Sequence, residues 1–210
     1  MPESAPAAAP ALPIELVLPF LERRTYLHGT TLFDAMLAFV PAGAGLSFKI
    51  SHRLDTDRIR LVSNLDVAAD VTPVSPASAS LRWTLDGAHS IIVAYPLPAS
   101  QIIARRPYPE AEVERRAGLS PQAVELVEPS PLGFVETLIP LFKLLLRHDV
   151  RCTRPGQWMF TRLDLDAVPT SVVPLRLTLS GVVPNSLARA RISCAGREAG
   201  VIYFSWVAEV

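Results

Sequence analysis

The alternation of apolar and polar positions predicts the same train of elements in each half of the chain. In the first half, an apolar helical segment precedes four runs of alternating polarity, at residues 32–37, 47–50, 58–62, 80–85 and 90–95. In the second half, a similar segment precedes four similar runs, at residues 134–139, 158–163, 174–179, 188–193 and 200–206. Alternation with a period of two is typical of half-buried strands. The pattern therefore predicts an α+β fold made of two copies of one small unit, a helix followed by four strands.

Local signals set the expected limits of these elements. Glycine tolerates the positive φ of a tight hairpin turn, so Asp86-Gly87 and Ala195-Gly196 predict turns between the last two strands of each unit. Thr30 or Thr31 is the expected N-cap of the first helix, and Pro41 with residues 43–45 is expected to end it.

The second helix is expected to start at Ser130 as N-cap, with Pro131 as its first residue. It is expected to run to about His148, with a kink at Pro140. The predicted organisation is a flexible arm at 1–13, a first repeat at 14–97, a linker at 98–129 and a second repeat at 130–210.

Composition narrows the function classes. The chain has 210 residues, half of them hydrophobic, and its 20 basic residues balance its 20 acidic ones, so no long-range field favours nucleic acid or an anionic membrane. Two cysteines and four scattered histidines show no metal-site spacing, and no glycine loop for phosphates precedes a helix. No metal or cofactor is therefore expected. No apolar run reaches the length of a membrane helix, and residues 1–13 lack the features of a signal peptide, which favours a cytoplasmic protein.

The segment from Gly29 to Met36 resembles the run that opens the central helix of hot-dog acyl-carrier-protein dehydratases: a glycine, four residues, an acid, then Ala and Leu or Met. Residues 48–53 and 57–61 are similar to the two strands that follow in those enzymes. The resemblance covers roughly 29–97 and, more loosely, 131–208. Two such units in one chain resemble a double hot-dog, the arrangement of some dehydratases, thioesterases and A-factor-synthase-like proteins.

The resemblance implies where chemistry lies. An acyl chain would enter between the two units near the helix starts, with Asp34, His28 and Glu136 as candidate catalytic residues. The implied substrate-binding residues follow from the same motif and from arginines near the expected mouth of the tunnel: Gly29, Thr30, Phe33, Arg53, Arg105 and Arg106.

Structural alternatives exist for each catalytic candidate. Asp34 with Thr31 also fits a capping box, Glu136 also fits a helix residue paired with an arginine, and His28-Gly29 also fits a simple turn. Only five residues separate His28 from Asp34, which departs from the spacing in the dehydratases and thioesterases.

The leading hypothesis is a dehydratase or thioesterase that acts on an acyl group carried by coenzyme A or an acyl carrier protein, in fatty-acid-like or polyketide metabolism. The alternative is a non-catalytic acyl-chain-binding or assembly protein with a degenerate site. A transferase of the A-factor-synthase kind is a third hypothesis. Open sheet edges leave a homodimer possible.

Overall fold

The computed structural model describes residues 12–63 and 76–208. Three helices lie in these segments: α1 (Gly29–Leu37), α2 (Glu110–Arg116) and α3 (Phe134–Asp149). The first part of the chain contributes β1 (Ile14–Val17), β2 (Phe20–Leu21), β3 (Gly45–Ile50), β4 (Arg58–Ser63), β5 (Ala79–Leu85), β6 (Ala88–Pro96) and β7 (Arg105–Arg106). The second part contributes β8 (Gly118–Ser120), β9 (Ala123–Leu126), β10 (Gly156–Leu165), β11 (Leu175–Val183), β12 (Leu187–Cys194) and β13 (Arg197–Ala208).

Eleven of the described strands form one antiparallel sheet, in the order β1-β4-β6-β5-β3-β10-β13-β12-β11-β9-β8. The two halves of the chain meet where β3 pairs with β10, from Lys49 opposite Arg162 to Leu46 opposite Leu165. Each half therefore supplies a helix followed by four strands of a shared sheet, which confirms the predicted α+β class of two joined hot-dog repeats.

The halves differ in strand order. Counting outward from the seam between β3 and β10, the first half runs β3-β5-β6-β4, whereas the second runs β10-β13-β12-β11. The third and fourth strands after the helix have thus exchanged places between the halves. In both, these two strands form a hairpin, closed by Asp86-Gly87 or Ala195-Gly196, and all four turn residues have positive φ as predicted.

One hydrophobic core joins the halves, because buried side chains of both helices and of strands on both sides of the seam belong to a single cluster. A row of aromatic rings crosses it. Phe33 of α1 packs edge-on against Phe48, with 5.4 Å between the ring centroids, and the Phe48 centroid lies 5.9 Å from that of Phe160 across the seam. Phe160 in turn contacts Phe204, which packs on Phe142 of α3. Burial of this continuous apolar surface holds both helices against the shared sheet.

The helix starts differ from the predictions. The N-cap of α1 is His28 rather than Thr30 or Thr31, and no side chain caps this end. The capping box with Asp34 is therefore wrong. The N-cap of α3 is Gly133. Ser130 instead accepts a hydrogen bond from the Leu132 N–H at 3.1 Å, so the predicted start at Ser130-Pro131 is wrong and the turn that it marks lies just before the helix.

The segment expected as a linker is structured. Its β7 pairs in parallel with β2, and its α2 packs along α3. Its β9 pairs with β11, which places it in the sheet of the second half in the way β1 pairs with β4 in the first. Most of the arm predicted at 1–13 lies outside the described residues. No helix in the described segments is long and apolar enough to span a membrane.

Candidate functional site

A cavity of about 260 Å³ opens at the seam between the halves. The first half contributes the chain around the start of α1 and the chain that leaves β3, and the second half contributes two side chains of α3 and the beginning of β10. The lining residues fall at 26–29, Leu32, 50–54, Ile139, Lys143, 157–161 and Val207. The predicted location, between the units near a helix start, agrees with this geometry.

His28 is the N-cap residue of α1, and only 5% of its surface is exposed. Its Nδ1 lies 2.8 Å from Thr30 Oγ1, and its ring packs 5.4 Å from that of Tyr108. Within the described part of the chain, Nε2 has no hydrogen-bond partner. Burial, followed by the charges of Arg24, Lys143 and Arg106, holds the pKa of His28 well below 6.5, so the imidazole is neutral at pH 7.

Gly29 lets the helix start approach the seam. A Cβ at this position would lie 2.4 Å from Ile50 Cδ1 and 3.0 Å from Phe160 Cδ1. Both of these side chains line the cavity. The first N–H groups of α1 have no intrahelical acceptor and no capping side chain, so they present partial positive charge beside His28.

Lys143 is the cation that α3 brings to the cavity, one turn after Ile139 on the same helix face. Its Nζ donates to Glu110 Oε1 at 3.3 Å, and the same oxygen accepts a 2.7 Å bond from Arg24. Burial lowers the pKa of Lys143 and the Glu110 carboxylate opposes that shift. Helix α2 thus fixes the position of a cation of α3.

The two candidate carboxylates do not line the cavity. The Asp34 side chain is exposed on α1, where partial desolvation and the charge of Glu136 raise its pKa to about 6. Glu136 is buried and paired with Arg106, and its backbone carbonyl accepts a 2.8 Å bond from the Tyr108 hydroxyl. The surroundings of Glu136 match the non-catalytic interpretation, in which it is a helix residue paired with an arginine. A catalytic role for either acid stays a prediction.

Two of the six predicted binding residues line the cavity, and the other four do not. Gly29 and Arg53 line the cavity; the exposed Arg53 lies over the Tyr26 ring at 4.6 Å and bonds Asp55 at 2.6 Å. Thr30 is buried behind His28.

The other three lie away from the cavity. Phe33 is 1% exposed and packs in the core. Arg106 pairs with Glu136, and the Nη1 of Arg105 donates to the carbonyl oxygens of Glu22 and Arg24 at 2.6 and 2.8 Å.

Lys143 and Glu110 were missed as candidates. One signal was present: a single lysine interrupts the otherwise apolar run from Leu138 to Leu146, and a cation on a buried helix face needs a partner. Its partner lies on α2, which was expected to belong to a linker.

No protein-family model matches the chain, and no curated protein matches it. Solved structures do. They include the bifunctional dehydratase-cyclase domain in ambruticin biosynthesis, at 16% identity and TM-score 0.46 over 87% of this chain and 83% of that one. The erythromycin dehydratase matches at 11% and 0.45 over 89% and 82%, and a protein named as a thioesterase II from Thermobifida fusca at 12% and 0.40 over 89% and 88%. The hot-dog architecture rests on the element order and sheet described above, and the A-factor-synthase-like resemblance stays a prediction.

Proposed function

We propose that this protein abstracts the proton next to the carbonyl of an acyl thioester and dehydrates a 3-hydroxyacyl thioester. The observation that carries the proposal is a buried, neutral histidine at the start of a helix, in a cavity between the two repeats, whose Nε2 has no hydrogen-bond partner among residues 12–63 and 76–208. A general base must be unprotonated and within reach of the proton that it takes, and a histidine is unprotonated at Nε2 only when it is neutral. His28 meets the first condition, and its place in the cavity lining supports the second.

The local contacts support a defined orientation of the base. In the tautomer whose Nδ1–H donates to Thr30 Oγ1, the lone pair of Nε2 is available to substrate. Packing against Tyr108 restrains the ring. The thioester carbonyl oxygen would accept hydrogen bonds from the free N–H groups of α1, which stabilise the negative charge that develops on it.

The reaction then balances without another reagent. Nε2 takes the proton from the carbon next to the carbonyl, and the electrons of that C–H bond form an enolate. As the enolate collapses to a carbon–carbon double bond, the bond from carbon 3 to its hydroxyl oxygen breaks. The imidazolium returns its proton to the leaving oxygen, so that water and an enoyl thioester form and His28 is neutral again.

Dehydration is favoured over hydrolysis by the lining of the cavity. Neither Asp34 nor Glu136 belongs to it, so neither is placed to activate a water there. Arg53, at the edge formed by residues 51–54, would meet the phosphates of coenzyme A or of a carrier protein's phosphopantetheine arm.

The test is turnover of a panel of 3-hydroxyacyl and saturated acyl thioesters, with enoyl products and free thiol measured separately. We expect enoyl product from the wild type and a loss of at least about 100-fold in His28→Gln, since general bases contribute about 10²–10⁴-fold. His89→Gln, in an exposed hairpin, is the matched control.

Two outcomes would overturn the proposal. Free thiol without enoyl product would identify a thioesterase. No turnover of any thioester, together with an acyl chain that co-purifies with the protein, would favour the non-catalytic binding protein.

A further inference from the structure

We infer that Lys143 binds a carboxylate at the far end of a short acyl group, so that the cavity selects carboxyacyl thioesters over alkyl ones. The thioester part of this inference rests on the proposed function, whereas the binding of a carboxylate by Lys143 is independent of turnover.

Lys143 is placed to meet one end of a ligand in the cavity. Lys143 and His28 line the same cavity from different halves, and much of the lining is apolar, including Leu32, Ile139 and Phe160. A charged group in such a lining fixes the orientation of a ligand, because a polar end of the ligand that meets it is not desolvated without a partner.

The cations around Glu110 outnumber their paired carboxylates. Arg24 and Lys143 are two cations that share a single oxygen of Glu110, at 2.7 and 3.3 Å. Glu136 does not add a counter-charge, since Arg106 already pairs with it, and His28 is neutral. One unit of positive charge is therefore not balanced by the carboxylates paired with these cations, and the longer bond shows that Lys143 holds Glu110 less closely than Arg24 does.

Lys143 also has N–H donors to spare for a ligand. An ammonium group has three N–H donors. In the part of the chain that the structure describes, Lys143 uses one, to Glu110. Two donors remain for a ligand, which suits a carboxylate, and the charge-assisted bonds would be stronger than those to a neutral hydroxyl.

The cavity is small. At about 260 Å³, it is smaller than the roughly 300–1,000 Å³ of sites for drug-sized ligands. Because Lys143 lines this small cavity, it is within reach of a short acyl group.

The experiment compares two pantetheine amides, glutaryl and valeryl, which have five-carbon acyl groups and differ in a terminal carboxylate. Neither can be dehydrated, so their dissociation constants, measured by titration calorimetry, are independent of catalysis. We expect the wild type to bind the glutaryl amide about tenfold more tightly or better, since hydrogen bonds to charged groups have that effect. Lys143→Met should reduce the preference to less than about twofold.

Lys49→Met is the matched control, because Lys49 is an exposed residue of β3 outside the cavity lining. The control should keep the full preference. Circular dichroism of both variants shows whether each is folded, and Lys143→Gln supplies a second, polar variant if the methionine variant is not.

A wild type that binds both amides equally would overturn the inference. It would also be overturned if 3-hydroxyvaleryl and 3-hydroxyglutaryl pantetheine lost kcat by the same factor in Lys143→Met, since Lys143 would then take part in the chemical step for every substrate. An effect confined to the KM of the glutaryl substrate supports it. A preference for the glutaryl amide in a protein that dehydrates nothing would leave the anion site standing and remove the proposed function.

Discussion

The two halves of the molecule have the same elements in the same order but differ in how the strands pair and in what their helices bring to the seam. From the seam outward, the hairpin of the first half presents β5 to β3, whereas that of the second presents β13 to β10. A hairpin turn fixes which two strands pair with each other, and it leaves open which of them joins the next strand. The same sequence pattern is therefore compatible with two different strand orders in the sheet.

The helices of the two halves also differ in which part of each lines the cavity. The 9-residue α1 presents its start, with His28 and Gly29, to the cavity. The 16-residue α3 presents its middle, with Ile139 and Lys143, while its first turn is occupied by the ion pair of Glu136 with Arg106. The cavity is therefore composite: the first half supplies a buried histidine and a helix terminus, and the second half supplies a cation and apolar surface.

Among substitutions that compare the two halves, the largest effect is expected at the two helix starts. Gly29→Ala places a methyl group against Ile50 and Phe160, and should lower turnover at least about tenfold and stability by about 1–3 kcal/mol. Gly133→Ala, at the N-cap of α3, meets only Glu136 Oε2, at an ordinary 3.8 Å, and should change turnover less than about twofold.

A rescue variant sharpens this comparison. Ile50→Val removes the Cδ1 atom that the new methyl group would contact most closely, so the double variant should recover part of the lost stability and turnover. Urea unfolding and steady-state kinetics measure both. Equal losses at Gly29 and Gly133 would show that the helix starts are equivalent after all.

The next effect concerns the ion pair at the start of α3. Glu136→Gln leaves Arg106 without its counter-charge beside a buried amide, and should lower the free energy of unfolding by about 1–3 kcal/mol with little effect on kcat. Glu125→Gln, in the exposed pair with Arg176, should cost less than about 0.5 kcal/mol. If Glu136→Gln lost activity and kept its stability, the predicted catalytic role of Glu136 would be correct.

A smaller effect, an increase in the free energy of unfolding, is expected from substitution of Asp34. Its pKa is raised from 3.8 to about 6, so the folded state binds this proton more tightly than the unfolded state. Stability therefore falls as pH rises between these values, and the full cost remains above pH 6. Because the side chain is exposed, Asp34→Asn should stabilise the protein at pH 7 by no more than about 1 kcal/mol. Unfolding at pH 7 and at pH 3.5 should show the gain only at pH 7.

The smallest effect is expected in the pH profile. The pKa of His28 lies well below 6.5, so kcat/KM should change less than about twofold between pH 8 and pH 6.5 and should fall tenfold per unit only at lower pH. The charged groups that act on His28 are Arg24, Lys143 and Arg106. An acid limb near pH 6 that disappears in Asp34→Asn would instead make Asp34 part of the machinery.

Local patterns predicted much of this fold. Strand alternation and the two glycine turns gave the strands and hairpins of both halves, and the position of His28-Gly29 before an apolar helix indicated one end of the site. These signals depend on neighbours in sequence.

The features that were missed depend on contacts between distant segments. The start of α1 has no side-chain cap, and its Gly29 lies so close to Ile50 and Phe160 that a Cβ would not fit. The charge around Lys143 depends on Glu110, which lies 33 residues earlier on another helix, and on Arg24 of the first half, which shares the same Glu110 oxygen. Asp34 satisfied a sequence motif, but the helix turns it away from the cavity.

The most direct test of proton abstraction by His28 is deuterium exchange at the carbon next to the carbonyl. A saturated acyl pantetheine thioester, which has no hydroxyl to lose, is incubated with the protein in D₂O, and deuterium in the acyl group is followed by mass spectrometry. The account predicts exchange catalysed by the wild type and by His89→Gln, and exchange at least about 100-fold slower in folded His28→Gln. Equal exchange in the wild type and in His28→Gln would contradict it.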